Sequence, residues 1–331
     1  MIIKQKIIRL NSIRITNAII LVLVLIGTLL LAGCGETTTH SNQTVEQKEE
    51  VTTTPGKDEA VEWYNKGIEL RKQGKYSEAI ECFDKSIELD PNNASVWNNK
   101  GFVLNHQGKY SEAIECFDKS IELDPNNASV WNNKGVALIH QGIYSEAIEC
   151  FDKSIELDPN NASVWNGKGV GLSYQGEHSE AIECFDKSIE LDPTYARSWV
   201  NKGNSLNEQR KYSEAIKCFD KAIELNLNDA FVWNGKGVAL SYQGKYSEAI
   251  KCYDKALVLD PTYARSWANK GNSLNHQGKY SEAIECFDKS IELDPNKVSA
   301  WNGKGVALQA LGRNTEAQEC FNKAKELGYK E

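Results

Sequence analysis

The segment Ala94–Asn127, ASVWNNKGFVLNHQGKYSEAIECFDKSIELDPNN, determines how the whole chain is organised. It is 34 residues long, and residues 128–161 repeat it with only four substitutions. Tryptophan recurs with the same period, at Trp63, Trp97, Trp131, Trp165, Trp199, Trp233, Trp267 and Trp301. A fixed period of this length is typical of an architecture built by stacking one supersecondary unit. Residues 60–331 are therefore predicted to form eight copies of that unit.

The first half of each unit has the spacing of a helix. Trp97, Gly101 and Leu104 lie at i, i+4 and i+7, which places them on one helical face. Gly108 then supplies the left-handed conformation that ends a helix. Asn127, the last residue of the unit, is expected to cap the first helix of the next unit.

The second half predicts a second helix with its own apolar face. Ser111 is the expected N-cap, Ala113 and Phe117 lie on the inner face, and Pro125 prevents the helix from continuing. Two helices this short cannot bury their apolar stripes alone. Neighbouring units must bury these stripes jointly, as in solenoid proteins.

The unit resembles the tetratricopeptide repeat, whose pattern is Trp-x2-Leu-Gly-x2-Tyr, then Ala-x3-Phe, then Pro. The matching positions are Trp97, Gly101, Ala113, Phe117 and Pro125. Lys100 replaces the Leu of the pattern, and we expect its stem to lie on apolar surface with the ammonium group in water. The resemblance implies an all-α, right-handed superhelical solenoid of eight helix-turn-helix repeats. It also implies that the first helices line a concave groove and the second helices lie outside.

The N-terminal segment, residues 1–33, is predicted to be a targeting signal. Four basic residues precede an apolar run at 18–32, which is 15 residues long and short of the ~20 that a spanning helix needs. The run leads into Leu-Ala-Gly-Cys at 31–34, which resembles the lipobox of prokaryotic lipoproteins. That resemblance implies a lipidated Cys34 and a membrane-anchored protein on the extracytoplasmic face of a prokaryotic cell. An uncleaved N-terminal anchor is the alternative.

Residues 34–59 are rich in Thr and Glu and poor in large apolar side chains, so we expect a flexible tether. The whole chain has a net charge of −8. The four basic residues of the leader have no acidic counterpart there, so the rest carries 34 basic and 46 acidic residues, a net charge of −12. Nucleic acid is therefore not an expected partner, because its phosphates favour a basic surface.

Cysteine recurs once per repeat, at Cys82, Cys116, Cys150, Cys184, Cys218, Cys252, Cys286 and Cys320. Neighbouring layers of helices lie about 8–10 Å apart, and a disulfide needs Cα atoms within about 7 Å. We therefore predict free thiols. His106, His140 and His276 share one first-helix position, too far apart to hold a metal together. We expect no metal, no cofactor and no enzymatic activity.

Three kinds of first-helix residue are predicted to face the groove. An amide ladder suited to a peptide backbone would comprise Asn98, Asn132, Asn166, Asn234 and Asn302. Beside it lie the aromatic residues Phe102, Tyr174, Phe231 and Tyr242 and the basic residues Arg197 and Arg265. The alternative is that asparagine merely tolerates an exposed helix face.

The predicted function is a membrane-tethered protein–protein interaction scaffold that binds peptide segments or partner helices in its groove. Arg197 and Arg265 would favour acidic groups of the ligand near repeats five to seven. One alternative is a carbohydrate-binding or envelope-organising module. Another is a non-catalytic accessory subunit of an enzyme on a separate chain.

The repeats also differ among themselves. Residues 162–229 and 230–297 look like two copies of one repeat pair. Leu227 replaces the proline expected between repeats five and six, which predicts a looser junction. In the last helix Gln318 and Lys325 replace apolar residues, which predicts a polar terminal face.

Overall fold

The computed structural model describes residues 55–225 and 229–329. In that part of the chain all regular structure is helical. The sixteen helices are α1 Pro55–Lys72, α2 Tyr76–Leu89, α3 Ala94–His106, α4 Tyr110–Leu123, α5 Ala128–Gln141, α6 Tyr144–Leu157, α7 Ala162–Gln175, α8 His178–Leu191, α9 Ala196–Glu208, α10 Tyr212–Glu224, α11 Ala230–Tyr242, α12 Tyr246–Leu259, α13 Ala264–His276, α14 Tyr280–Leu293, α15 Val298–Ala310 and α16 Asn314–Glu326. Odd-numbered helices are the first helices of the eight repeats, and even-numbered helices are the second.

The helices stack in chain order as a solenoid. Each first helix packs on the second helix of its own repeat, and that second helix packs on the first helix of the next repeat. First helices also contact the first helices of neighbouring repeats, whereas second helices in the described ranges do not contact one another. The first helices therefore lie on the tighter, concave side, as the family resemblance implied.

A glycine and an aromatic ring hold each helix pair together. Phe117 has no exposed surface, and its ring lies on Gly101 of the preceding helix. A Cβ atom at Gly101 would lie 2.7 Å from Cε1 of Phe117, which is closer than packed atoms approach. Glycine is therefore required for the two helices to approach so closely.

The polar groups of the repeat bond locally, and two sequence predictions are confirmed. Asn127 Oδ1 accepts a hydrogen bond from Ser129 N at 3.2 Å, so it caps α5. Gly108 adopts φ +76°, the expected left-handed stop after α3. Trp97 Nε1 donates to the carbonyl of Pro91 at 2.9 Å, which joins the first helix to the preceding loop.

Three expectations need correction. Ser111 does not cap α4, because the helix begins at Tyr110; its Oγ instead accepts from Gln141 Nε2 of the next repeat at 2.7 Å. The Lys100 ammonium is paired with Asp84 of the preceding repeat at 2.6 Å and is not left to water alone. Residues 55–59, the end of the expected tether, are helical, since proline suits the first helical turn.

The eight repeat cysteines are buried free thiols. Burial raises the pKa of six of them to about 11: Cys116, Cys150, Cys184, Cys218, Cys252 and Cys286. Gln318 and Lys325 are exposed on α16, as a polar terminal face requires. None of the helices within 55–225 and 229–329 is long and apolar enough to cross a membrane. The leader, Cys34 and Leu227 lie outside the described residues.

Candidate functional site

A cleft of about 890 Å³ opens on the concave side of repeats four to seven. The first helices α7, α9 and α11 form most of its wall, and α13 contributes one residue. Four of the groove residues predicted from the sequence line it: Tyr174, Phe231, Asn234 and Arg265. The structure thus brings two aromatic residues, an amide and a cation from repeats four, six and seven into one concave surface.

The other predicted groove residues lie elsewhere on the solenoid. The half-buried residues are Asn98, Asn132, Asn302 and Phe102. Phe102 contacts the ring of His106 and the guanidinium group of Arg71, with centroid distances of 4.5 and 5.1 Å. Arg197 and Tyr242 are exposed, but neither lines the cleft.

The expected ladder of open amides is interrupted. Asn166 is only 8% exposed, and its Oδ1 accepts from Asn201 Nδ2 at 2.9 Å and from Ser198 Oγ at 3.2 Å. Asn234, 4% exposed, accepts in the same way from two residues of the next repeat. These carbonyl oxygens join neighbouring first helices, so they are not free to hold a peptide backbone.

A row of stacked rings follows one edge of the groove, and we call it the edge ladder. Each stack joins the first residue of a second helix to a residue near the end of the next first helix. The pairs and their centroid distances are Tyr76–His106 at 5.8 Å, Tyr110–His140 at 4.9 Å, Tyr144–Tyr174 at 4.9 Å, Tyr212–Tyr242 at 5.1 Å and Tyr246–His276 at 4.7 Å. The three histidines His106, His140 and His276 are exposed, and each stacks on a tyrosine of the preceding repeat.

The edge ladder is interrupted where the cleft lies. Between repeats four and five its two positions hold His178 and Glu208, and both line the cleft. Nδ1 of His178 is buried without a hydrogen-bond partner in the described part of the chain. Glu208 is exposed and forms no ion pair with any described residue. Neither residue was predicted from the sequence as part of a site, although each departs from the 34-residue repeat.

The remaining polar groups of the cleft are amides, the hydroxyl groups of Ser173 and Ser205, and one guanidinium group. Asn207 Nδ2 donates to the carbonyl of Gly235 at 3.3 Å, and its Oδ1 has no partner among the described residues. Arg265 is exposed in the first turn of α13. The described ranges contain no group of three His, Cys, Asp or Glu residues that could hold a metal ion. The chemistry that this surface offers is hydrogen bonding, stacking and ion pairing.

Comparison with protein families gives one result for nearly all of the described region. The model of the tetratricopeptide repeat matches seven consecutive segments, 60–93, 94–127, 128–161, 162–195, 196–229, 230–263 and 264–297. A second model of the same repeat matches residues 286–319. No match was found among curated protein sequences.

Solved structures share the fold. A chain of the APC/C hetero-tetramer Cut9–Hcn1 is similar with a TM-score of 0.62 and 20% identity, over 77% of this chain and 50% of that one. A tetratricopeptide repeat protein from Parabacteroides merdae ATCC 43184 is similar with a TM-score of 0.61 and 17% identity, over 76% of this chain and 99% of that one. The chain thus spans half the length of the first relative. At these sequence identities the similarity shows a shared fold.

Proposed function

The chain belongs to the tetratricopeptide repeat family, and we propose that it is a membrane-tethered interaction scaffold that binds an extended peptide segment of a partner protein in its concave groove. Proteins built of these repeats bind other proteins or peptides, which supports the scaffold role. No catalytic or metal-binding constellation was predicted from the sequence.

The observation that carries the proposal is the convergence of predicted groove residues in one cleft. Tyr174 and Phe231 are large side chains that are 63% and 46% exposed, respectively. Such residues on a concave surface offer apolar contact to the side chains of a ligand. Asn207 and Arg265 add hydrogen-bonding groups that can orient a peptide.

The two arginines give the proposed groove its preference for acidic groups. Arg197 and Arg265 occupy equivalent positions in the first turns of α9 and α13, two repeats apart. Each is exposed and makes no ion pair with a described residue. Positive charge at a helix N-terminus adds to the dipole field there, so both sources favour a bound carboxylate.

Tethering is the second part of the proposal. It is supported by the basic, apolar and Leu-Ala-Gly-Cys sequence of residues 1–34, with Cys34 as the lipidated residue. The anchored repeats would then act at the extracytoplasmic face of the membrane. Intact-mass analysis of the membrane fraction tests this part: a chain that retains Met1 and an unmodified Cys34 would rule out lipidation.

Crosslinking of the full chain in its own cells, followed by identification of the captured molecules, tests the scaffold role. Arg197→Ala combined with Arg265→Ala should weaken capture, and raised salt should imitate this loss. Lys217→Ala combined with Lys251→Ala is the matched control, because it removes two exposed cations from the second helices α10 and α12. Equal capture by both double variants would show that Arg197 and Arg265 do not contribute to binding. Capture of glycan in place of protein would favour the carbohydrate-binding alternative.

A further inference from the structure

The charge of the groove edge changes sign at the gap in the edge ladder. The residue before each second helix is basic in six repeats, at Lys75, Lys109, Lys211, Lys245, Lys279 and Arg313. In repeat four that residue is Glu177, beside His178. Glu208, on the facing position of repeat five, replaces the histidine or tyrosine of the other stacks. Two carboxylates therefore stand where most other repeats carry a cation or a ring; Ile143 and Ala310 are the other exceptions.

An aromatic side chain lies in the same cleft as Glu208. Tyr174 stacks on Tyr144 with a centroid distance of 4.9 Å and an interplanar angle of 9°. Its side chain is nevertheless 63% exposed and lines the cleft together with Glu208 and His178. Glu208 is also the last residue of α9, where the carbonyl end of the helix dipole favours a cation.

We infer that this gap receives an arginine side chain of the bound partner, with its guanidinium group against Tyr174 and paired with Glu208. The inference rests on the proposed function and specifies the chemistry of the ligand. A guanidinium group is planar, stacks on aromatic faces and pairs with a carboxylate through two parallel hydrogen bonds. The ammonium group of lysine lacks the planar geometry, and a neutral ring would leave the carboxylates uncompensated.

Arg265 does not oppose such a ligand, because it lies toward the other edge of the groove. Its equivalent in repeat five, Arg197, precedes Glu208 by eleven positions on α9. At 1.5 Å per residue those positions are roughly 16 Å apart along the helix. Arg265 is two repeats further on. A single extended peptide can therefore present an acidic group to Arg265 and an arginine to Glu208. The net charge of −12 outside the leader also attracts a basic segment.

Saturation-transfer NMR of the full chain in a mild detergent tests the inference with two small probes. N-acetyl-arginine methylamide carries the guanidinium group, and the matching citrulline compound keeps its shape without the charge. We expect a signal at least about fivefold stronger for the arginine compound. Glu208→Gln should reduce its affinity about tenfold, because it removes a charged hydrogen-bond partner. Glu115→Gln, which removes an exposed carboxylate from α4, should leave the affinity unchanged.

The second copy of the repeat pair provides an independent test. His178→Tyr combined with Glu208→His recreates the Tyr246–His276 stack at the gap and should abolish the arginine signal. Lys245→Glu combined with Tyr246→His and His276→Glu should create a second arginine site, because Lys245 stands where the first copy has Glu177. Equal signals for the arginine and citrulline compounds, or an arginine signal insensitive to both Glu208 variants, would overturn the inference. Partner capture that still depends on Arg197 and Arg265 would leave the proposed function standing in that case.

Discussion

Residues 162–229 and 230–297 are two copies of one repeat pair that share a scaffold and differ at the groove edge. Their helices, α7 to α10 and α11 to α14, begin at equivalent residues. In the second copy Tyr246 stacks on His276 at 4.7 Å and 6°. In the first copy the same two positions are His178 and Glu208, which line the cleft. The comparison shows that the repeat fixes the scaffold, whereas departures from it provide the site.

The two copies also differ in the core beneath the edge ladder, at the aromatic residue that packs on the preceding helix. Tyr253 of the second copy is 1% exposed, and its hydroxyl group bonds with Ser241 and Ser273. Burial raises its pKa well above the ordinary value for tyrosine. The first copy has Phe185, which lacks the hydroxyl group. The two serines bond to each other in both copies, at 2.8 Å for Ser173–Ser205 and 2.9 Å for Ser241–Ser273, and the first pair lines the cleft. The serine pair of the second copy therefore has a phenol hydroxyl as a further hydrogen-bond partner, and the serine pair of the first copy does not.

The largest expected effect is the loss of the buried aromatic ring that both copies have in their core. Phe185→Ala and Tyr253→Ala each remove a buried ring that lies on a glycine of the preceding helix. Each change should lower the free energy of unfolding by about 3–5 kcal/mol. Urea unfolding followed by circular dichroism measures both. A cost below about 1 kcal/mol for either variant would show that the two copies do not share one core.

A smaller effect is expected at a position where both copies have a left-handed backbone conformation but differ in residue type. Arg210 ends α9 with φ +61°, whereas its counterpart Gly278 has φ +73°. A left-handed conformation costs a residue with a Cβ atom about 1–2 kcal/mol relative to glycine. Arg210→Gly should therefore stabilise the protein and Gly278→Arg should destabilise it by that amount. Thermal unfolding of the two variants should show shifts of opposite sign. Shifts of the same sign would contradict this explanation.

The edge stack should contribute less. Tyr246→His combined with His276→Glu removes a stack from the second copy and should cost about 0.5–1.5 kcal/mol. The reverse exchange at His178 and Glu208 should stabilise the first copy by a similar amount, because it adds a stack. The same thermal unfolding measurement applies to both. If the exchange at His178 and Glu208 left the stability of the protein unchanged, the edge ladder would not hold repeats together.

The sequence predicted most of the scaffold because its determinants are local. Gly108 ends its helix and Asn127 caps the next one within two or three residues, so spacing alone was sufficient. Ser111 failed as a predicted cap because its partner, Gln141, lies thirty residues away in the next repeat. A 34-residue period indicates which positions are equivalent. It does not indicate which neighbour a polar group contacts.

The site was only partly predictable for the same reason. Tyr174, Phe231 and Arg265 were identified as variable positions on the groove side, and they line one cleft. Asn166 matched the expected ladder but is buried, because Asn201 of the next repeat donates to it. The loss of the stack at Glu208 was visible in the sequence as a departure from the period. Only the structure shows that the equivalent residues of other repeats form stacked ring pairs, so only the structure identifies position 208 as a gap in the edge ladder.

Photocrosslinking from two equivalent tyrosines tests the central claim most directly. Tyr174 and Tyr242 both stack on a preceding tyrosine, at 4.9 and 5.1 Å, and are 63% and 70% exposed, but only Tyr174 lines the cleft. p-Benzoylphenylalanine should be placed at either position of the full chain in its own cells. We predict that position 174 captures a partner protein and that position 242 captures at least about tenfold less. Equal capture from both positions, or capture from position 242 alone, would contradict a binding site in the cleft of repeats four to seven.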